Sequence, residues 1–201
     1  MATDTKRLAM CEGPADVRGE PDAKPQSHLV PLKSVALLES NLTDDGELVR
    51  VSLRPNEALF QTERALIHTR LVEGRFPPYR NIIPKKMEVR LPVGVGDFLA
   101  RVRQAAIMTD DESKRVDFRF EPGKVTLSAR GPETGSSEVE MALPEYAGPE
   151  VEIAFDPAYL TDMLRAVEGE PTVVLEMTDG QKPALFRVGE EYLYLVMPLA
   201  G

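Results

Sequence analysis

The sequence predicts an α+β protein built from repeated β-α-β-β-β units, with the helices packed on one face of antiparallel sheets. Three amphipathic helical stretches begin near positions 31, 94 and 157, about sixty residues apart. Three stretches with strand periodicity follow each helix. Because one amphipathic helix covers only part of a sheet's apolar face, we expect two units to pair in each domain.

The chain opens with a short predicted strand, and the first copy of the unit follows it. An exposed loop rich in proline and charge over Glu12–Gln26 separates the strand at Thr5–Cys11 from this copy. Pro31 suits the first helical position. Leu32, Val35, Leu38 and Leu42 give the helical spacing. The predicted strands of this copy are Ser27–Val30, Glu47–Leu53, Ala58–Thr62 and Ala65–Leu71.

The second and third copies have the same order of elements. The second is predicted to have strands at Lys86–Leu91, Arg115–Glu121, Lys124–Arg130 and Ser136–Leu143, and a helix at Val93–Met108 that buries Phe98, Val102 and Ala105. The third has strands at Val151–Phe155, Thr172–Met177, Ala184–Val188 and Tyr192–Val196, and a helix with an apolar stripe of Leu160, Met163, Leu164 and Val167. Asp156 and Pro157 are suited to the start of that helix.

A proline-rich stretch, Arg70–Pro84, joins the first copy to the second. Its three prolines exclude a helix interior or a central strand, because proline lacks an N–H and fixes φ. Phe76, Tyr79 and Ile82 are too apolar for a solvated spacer. We therefore expect a stiff, extended connector, with an ordinary surface loop as the alternative.

This stretch also carries a family resemblance. The pattern Glu73-Gly74-Arg75-Phe76-Pro77-x-Tyr79-Arg80-x-x-x-Pro84 resembles the linker between the second and third domains of the bacterial sliding clamp, the beta subunit of DNA polymerase III. Ala2-Thr3-Asp4-x-x-Arg7-Leu8-Ala9 resembles a segment of the middle domain of that family, and Tyr194-Leu195-Val196-Met197-Pro198-Leu199 resembles its C-terminus. The three motifs span nearly the whole chain, which corresponds to about the latter half of a family member.

The resemblance implies a domain division. Residues 1–79 would be a remnant of the middle clamp domain, 80–84 the linker, and 85–201 a complete C-terminal clamp domain. In the family, the first domain of one subunit joins the third domain of another to close a ring-shaped homodimer. This chain lacks a first domain, so we do not expect it to close such a ring. A fragment, a misplaced start codon and a truncated paralogue stay open as explanations.

Composition favours an ordinary globular protein. Hydrophobic residues make up 42% of the chain, Trp is absent, and Cys11 is the single cysteine. No apolar run reaches about 18 residues and no signal peptide is visible, so we expect a cytoplasmic protein without membrane contact. The net charge is −9, yet seven basic and two acidic residues lie between Arg75 and Arg103. This distribution indicates a basic face on an acidic body or chance clustering on a solvated surface.

The motifs of common enzyme classes are missing from the sequence. It has no Gly-rich phosphate loop, no zinc spacing of cysteine and histidine, and no Gly-x-Ser-x-Gly. We interpret His28 and His68 as strand-surface or core-edge residues, and the pairs Asp110-Asp111 and Glu190-Glu191 as solvated turns. Asp44-Asp45-Gly46 lacks the spaced ligands of a calcium loop. We therefore expect no catalytic residue, metal or cofactor. A hydrolase with an unrecognised carboxylate pair is the enzyme alternative.

Long cations are expected on the open faces of the first two helices. Lys33 lies on the first helix, and Arg101 and Arg103 lie on the second. Such side chains can meet phosphates without reading bases, or they can simply be solvated. The resemblance implies that these helices face duplex DNA in a sequence-independent contact.

Apolar residues at the C-terminus indicate a partner. The last strand explains Leu195, but Met197, Pro198 and Leu199 are apolar residues at a terminus. The resemblance implies a pocket for short peptides carried by the DNA polymerase III catalytic subunit, the clamp loader and repair proteins. By position, its residues here are Thr3, Thr5, Lys6, Arg7, Leu8, Pro77, Asn81, Ile82, Asp156, Tyr159, Leu195, Met197, Pro198 and Leu199.

This chain departs from the family pattern at three places in the pocket. Lys6 stands where histidine is frequent, Asn81 where arginine is common, and the tail ends Ala200-Gly201. We expect these differences to alter peptide preference and to leave the site in place. The implied function is a non-catalytic processivity factor, for which any polymerase label comes through membership of the holoenzyme. The alternative is a truncated paralogue that binds the peptides but does not encircle DNA.

Overall fold

The computed structural model describes residues 1–18, 27–44, 46–84, 86–109, 114–131 and 135–200. The chain divides into two compact units, which we describe separately. The large unit consists of Met1–Ala15 and Tyr79–Gly201, and the small unit is Asp16–Pro78. The predicted turn at Asp110-Asp111, as well as Asp45 and Lys85, lies outside the described residues.

The elements follow the predicted order. The strands are β1 (Ala2–Thr3), β2 (Arg7–Cys11), β3 (Arg50–Leu53), β4 (Glu57–Gln61), β5 (Leu66–Arg70), β6 (Val89–Gly94), β7 (Val116–Glu121), β8 (Gly123–Gly131), β9 (Gly135–Leu143), β10 (Val151–Phe155), β11 (Thr172–Met177), β12 (Ala184–Val188) and β13 (Tyr192–Val196). The helices are α1 (Leu32–Ser40), α2 (Val95–Ala106) and α3 (Pro157–Ala166), with a 3₁₀ turn at Tyr79–Asn81. The predicted α+β class with helices packed on antiparallel sheets is confirmed.

Two antiparallel sheets form the large unit. One has the strand order β1-β2-β13-β12-β11-β6, and the other has the order β10-β7-β8-β9. The second and third copies of the repeat exchange their opening strands. β6 opens the second copy and pairs with β11 of the third, while β10 opens the third and pairs with β7 of the second. Each copy therefore completes the sheet of the other.

The core of the large unit lies between these sheets and the two helices. The predicted residues Phe98, Val102 and Ala105 of α2 are at most 1% exposed, and Leu160, Met163, Leu164 and Val167 of α3 or its end are at most 8% exposed. The Asp156 carboxylate accepts a hydrogen bond from the Ala158 N–H at 2.9 Å and so caps α3 as the sequence predicts. α2 and α3 also pack on each other. The two copies thus share one core.

The small unit holds the first copy of the repeat alone. Its sheet is β3-β4-β5, and its fully buried core consists of Ala58, Phe60 and Ile67. No residue of α1 is buried. Leu38 packs on the core, whereas Leu32 and Val35 are 79% and 46% exposed. The predicted apolar stripe therefore exists, but the described residues of this unit offer it no second helix.

Three local predictions need correction. Residues 27–30 are not part of a sheet, although the sequence predicts a strand there. The chain also has a two-residue strand, β1, that the sequence did not indicate. The expected extended connector contains the 3₁₀ turn at Tyr79–Asn81, where the Ile82 N–H donates to the Tyr79 carbonyl at 3.0 Å. A strand depends on a neighbouring strand and a turn on its closing hydrogen bond. The local sequence pattern identifies neither of these partners.

Candidate functional site

The two ends of the described chain meet in the large unit. β2 and β13 pair so that Leu8 lies opposite Leu195 and Arg7 opposite Val196. Beyond the strand, the Met197 N–H donates to the Lys6 carbonyl at 2.9 Å. Leu8 and Leu195 are buried at 5% and 4% exposure. This pairing fixes the turn before β2 against the tail after β13.

The tail after β13 is held in place by its backbone. The Leu199 N–H donates to the Ala154 carbonyl of β10 at 2.8 Å. The Arg115 guanidinium donates to the Ala200 carbonyl at 2.9 Å. Met197, Pro198 and Leu199 are each half-buried. The tail thus presents a row of partly exposed apolar side chains on an ordered backbone.

The turn before β2 is held by short polar side chains. The Asp4 carboxylate accepts from the N–H groups of Lys6 and Arg7 at 3.1 and 3.0 Å. The Thr3 hydroxyl donates to the Arg7 carbonyl at 2.7 Å. Thr5 has φ of 76°, a left-handed conformation that is costly for a β-branched residue. The surrounding hydrogen bonds stabilise this conformation, and Lys6 follows it as an exposed cation.

Arg7 is the centre of a polar cluster that joins this turn to α3. Its guanidinium binds Asp162 at 2.7 Å and Asp4 at 2.9 Å. It also stacks over the Tyr159 ring, 4.6 Å from the centroid. Burial opposes the charge, but the bonds to Asp162, Tyr194 and Asp4 outweigh it and raise the Arg7 pKa. The cation therefore stays charged while it lies on an aromatic surface.

Two tyrosines form the wall beside Arg7. The Tyr194 hydroxyl donates to the Tyr159 carbonyl at 2.9 Å, so β13 is joined to the first turn of α3. Burial raises the pKa of Tyr194 to about 12. Tyr159 is half-buried and presents its ring beside the Arg7 guanidinium. This wall combines a flat apolar surface with hydrogen-bonding groups, so it can contact both apolar and polar side chains of a peptide.

The structure brings most of the predicted site residues together. Thr3, Thr5, Lys6, Arg7 and Leu8 lie at or beside β2, and Asp156, Tyr159, Leu195, Met197, Pro198 and Leu199 lie on the elements that contact it. Asn81 and Ile82 are exposed in or after the 3₁₀ turn, and the hydrogen bonds described for β2, β13 and the tail do not include them. Pro77 is exposed and belongs to the small unit.

Sequence reasoning missed two acidic partners of Arg7. Asp4 lies three residues before Arg7, a spacing that could have indicated the ion pair. Asp162 lies one helical turn after Tyr159, so a helical projection of α3 would place both on one side. The 155-residue separation between Arg7 and Asp162 conceals this contact in the sequence.

The predicted cations on the helices are all exposed. Arg101 and Arg103 lie on α2, away from the buried residue Val102, and Arg101 donates to Gln104 at 3.3 Å. Lys33 is exposed on α1 in the small unit. In the large unit, Asp97 is exposed on α2, whereas Asp162 is engaged by Arg7. The two arginines of α2 therefore offer a positively charged surface without a close carboxylate among their described bonds.

Neither a cluster of potential metal ligands nor a membrane-spanning helix occurs in the described ranges. No group of three or more potential metal ligands lies together among these residues. His68 lies 2.8 Å from the Glu57 carboxylate on the surface of the small unit. In the same ranges, no helix has the length and apolar character needed to cross a bilayer. A cavity of about 590 Å³ in the small unit, near Leu29, Asn56 and Val72, contains none of the predicted site residues.

Comparison with known proteins gives consistent matches over the whole chain. Residues 80–200 match the family model described as DNA polymerase III beta subunit, C-terminal domain, and residues 1–78 match the central domain of that subunit. Proteins named beta sliding clamp from Chlamydia pneumoniae and Caulobacter vibrioides (strain NA1000 / CB15N) are 29% and 30% identical. Each alignment covers 99% of this chain and 53% of the relative.

Solved structures agree with the sequence matches. A DNA polymerase sliding clamp from Pseudomonas aeruginosa superposes with a TM-score of 0.90 at 27% identity, over 100% of this chain and 54% of that one. A sliding clamp from Bacillus subtilis gives a TM-score of 0.87 at 26% identity, over 100% of this chain and 53% of that one. The fold is therefore that of sliding clamps, and the chain spans about half the length of the relatives it matches.

Proposed function

Because the chain belongs to the DNA polymerase III beta subunit family, the bacterial sliding clamps, we propose that it acts as a non-catalytic clamp subunit in DNA replication. In this proposal the subunit tethers the replicative polymerase to duplex DNA and acts in the cytoplasm. In this proposal, residues 1–79 derive from the middle clamp domain, 80–84 form the linker, and 85–201 form the C-terminal domain. Ring closure as a homodimer requires the intact family architecture.

The second part of the proposal is a peptide site on the large unit. The observation that carries it is the joining of Met197 to Lys6, which sets the half-buried tail beside the Arg7–Tyr159 cluster. Half-buried apolar side chains on a backbone already fixed by hydrogen bonds are a preshaped surface for a short apolar peptide. Lys6 adds an exposed positive charge, which favours peptides with an acidic residue, whereas Asp4 and Asp162 already compensate the charge of Arg7. Partners are the polymerase catalytic subunit, the clamp loader and other proteins with such peptides.

A peptide titration tests this site. Calorimetry with a clamp-binding peptide from a polymerase should show saturable binding to the chain. Leu199→Asp places a charge on the half-buried tail and should weaken binding about tenfold or more. Ile107→Asp is the matched control, because Ile107 is 69% exposed after α2 and outside the site. Equal affinity of both variants and the parent, or no binding at millimolar peptide, would refute the site.

The third part is a loose contact with duplex DNA through the exposed helix cations. Lys33, Arg101 and Arg103 are the residues proposed to meet phosphates, and their exposure supports this role. Replacing all three by alanine should weaken DNA binding in low salt. It should also reduce the slope of log affinity against log salt concentration by about one for each phosphate contact that the variant loses. Arg119→Ala is a control, since Arg119 lies on β7 and is paired with Glu150. Unchanged salt dependence in the triple variant would contradict this role of the cations.

The alternative function is a truncated paralogue that captures clamp-binding peptides away from DNA. The peptide site proposed above supports this alternative equally well, because a single chain carries all of its described contacts. Peptide binding together with no measurable tethering of a polymerase to primed DNA would support the paralogue. Processive synthesis that depends on the chain would support the clamp.

A further inference from the structure

The tail after β13 is bound at both of its ends, by two anchors that lie far apart in the sequence. At the near end, the Met197 N–H donates to the Lys6 carbonyl at 2.9 Å. At the far end, the Arg115 guanidinium donates to the Ala200 carbonyl at 2.9 Å. The half-buried apolar side chains of the tail occupy the span from one anchor to the other. Their arrangement therefore depends on Arg115 as well as on Lys6.

Asp117 orients the Arg115 guanidinium for this contact. One carboxylate oxygen of Asp117 accepts from Nε and Nη2 of Arg115 at 2.9 and 2.7 Å. The remaining nitrogen, Nη1, is the one that donates to the Ala200 carbonyl. A planar guanidinium that is held along one edge presents its other nitrogen in a fixed direction. Asp117 thus fixes Arg115, and Arg115 fixes the tail.

A second bond holds the tail at the same place on the sheet. The Leu199 N–H donates to the Ala154 carbonyl of β10 at 2.8 Å. Ala154 lies opposite Asp117 in the pairing of β10 with β7. Leu199 is therefore bound by the backbone of one strand, while Ala200 is bound by a side chain at the start of its neighbour. Two adjacent bonds define the direction of the tail as well as its position.

The backbone has an uncommon conformation directly before each anchor. In the described part of the chain, the non-glycine residues with positive φ are Thr5, at 76°, and Lys114, at 40°. Thr5 precedes Lys6, and Lys114 precedes Arg115. Left-handed backbone is unfavourable for residues with a Cβ and is found preferentially at binding sites, where the surrounding structure enforces it. The second of these conformations points to a functional role for Arg115, as the first does for Lys6.

We propose that Arg115 is a positioning residue of the peptide site and acts on the peptide through the tail. This inference rests on the proposed peptide site. A tail that is already ordered loses little conformational entropy when a peptide binds, whereas a loose tail loses entropy for each residue that becomes fixed. Arg115 therefore raises the affinity for a peptide without contacting it. Asp117 has the same effect, because it acts through Arg115.

The test measures peptide affinity by calorimetry in variants of the full chain. Arg115→Ala should raise the dissociation constant of a clamp-binding peptide from a polymerase by about threefold to tenfold. The effect is moderate because the Arg115 and Asp117 side chains are 34% and 51% exposed, so water weakens their contact. Arg115→Lys should restore part of the affinity, since an ammonium can donate to the Ala200 carbonyl but loses the two-nitrogen contact with Asp117.

Arg119→Ala is the matched control. Arg119 lies two residues after Asp117 on β7, so both side chains are on the same face of the strand. The described ion pairs of Arg119 are with Glu121, Glu150 and Glu152, none of which belongs to the tail. Arg119→Ala should therefore bind the peptide as tightly as the parent chain.

Two readouts separate positioning from a loss of stability. In the free protein, Arg115→Ala should accelerate hydrogen exchange at the Leu199 amide and leave the amides between β12 and β13 unchanged. Saturating peptide should slow exchange at Leu199 more in this variant than in the parent, because the peptide orders a tail that the parent already holds. Asp117→Ala should weaken binding in the parent and have no further effect in Arg115→Ala, since it acts through the same guanidinium.

The outcomes distinguish this inference from the proposed function. If the parent chain binds no peptide at millimolar concentration, the site and the inference are both refuted. If the parent binds and Arg115→Ala binds equally well, the inference alone is overturned. Weaker binding with unchanged exchange at Leu199 would show that Arg115 does not act through the tail. Faster exchange throughout the sheet, or an equal loss of affinity in Arg119→Ala, would make the role of Arg115 merely structural.

Discussion

Removing the Arg7 side chain tests the cluster that holds the proposed site together. Arg7→Ala deletes two ion pairs, to Asp162 at 2.7 Å and Asp4 at 2.9 Å, and the stacking on Tyr159. The two carboxylates are 55% and 48% exposed, so each pair contributes about 0.5 kcal/mol after solvent screening. The contact with the ring adds about 0.5–1 kcal/mol. We expect the free energy of unfolding of the large unit to fall by about 1–2 kcal/mol.

The assay is urea unfolding followed by far-ultraviolet circular dichroism, since the chain has no tryptophan. Arg130→Ala serves as the control, because Arg130 is an exposed arginine on β8 of the same unit. A double-mutant cycle of Arg7→Ala with Asp162→Ala should give a coupling energy of about 0.5–1 kcal/mol. The same variant should weaken the binding of a clamp-binding peptide about tenfold, because the Tyr159 ring and the turn before β2 lose their common partner.

The outcome that refutes this reasoning is specific. If Arg7→Ala unfolds at the same urea concentration as Arg130→Ala and the cycle shows no coupling, the cluster does not stabilise the turn. If stability falls but peptide affinity does not, the cluster is structural and lies outside the binding surface. Arg7→Lys separates charge from shape: it keeps the charge but loses the planar fork, so it should restore less than half of the stability that Arg7→Ala removes.

Three further predictions concern pH and a buried carboxylate. Tyr194 titrates near pH 12 in the folded chain and at 10.0 ordinarily, so stability should be intact below pH 10.0 and decline by up to about 3 kcal/mol between pH 10.0 and 12. Tyr194→Phe should remove that decline in alkaline urea titrations, and persistence of the full decline would contradict the assignment. Burial alone would raise the Asp4 pKa, but the bonds from Arg7 and the Lys6 N–H lower it below 3.8. The contribution of Asp4 to the free energy of unfolding should therefore be present above pH 3.8 and lost as the pH falls through the lower pKa of the folded state. Faster amide exchange in the turn before β2 should report that loss. Asp4→Asn should not show this change. Glu176→Ala should lower the free energy of unfolding by about 1–3 kcal/mol, because the 10% exposed carboxylate binds the Arg187 guanidinium at 2.8 Å; a midpoint of urea unfolding equal to that of the parent would argue against this role.

Elements buried on one clear face were predictable from sequence. Strand β10, at Val151–Phe155, and the core positions Phe98 and Leu160 follow from alternation and helical spacing alone. Residues 27–30 show the limit of this reasoning. A stretch forms a strand only beside the open edge of another strand, and the sequence of these four residues does not show whether such an edge is present. The exposure of Val35 has the same cause, since helical spacing reports an apolar stripe but not what covers it.

The candidate site was predictable in part. Alternation identifies Leu8 and Leu195 as strand residues, but only the family resemblance suggested that they come together, since the pairing joins opposite ends of the chain. The polar partners of Arg7 were not found, because a charged residue on a helix is ordinarily solvated and nothing local marks Asp162 as different. The roles of all the predicted site residues stay predictions from the resemblance, and Asn81, Ile82 and Pro77 also lie outside the contacts described for the site.

The pairing of β2 with β13 has a consequence for how the protein is made. β2 leaves the ribosome roughly 180 residues before the strand that completes its pairing. Closing a loop of that length is entropically unfavourable, so this edge of the sheet should form after the rest of the large unit. During synthesis, β1 can pair with one edge of β2, but the edge that will meet β13 stays open to chaperones or to wrong partners. The surface proposed for peptide binding is thus the last part of the fold to exist.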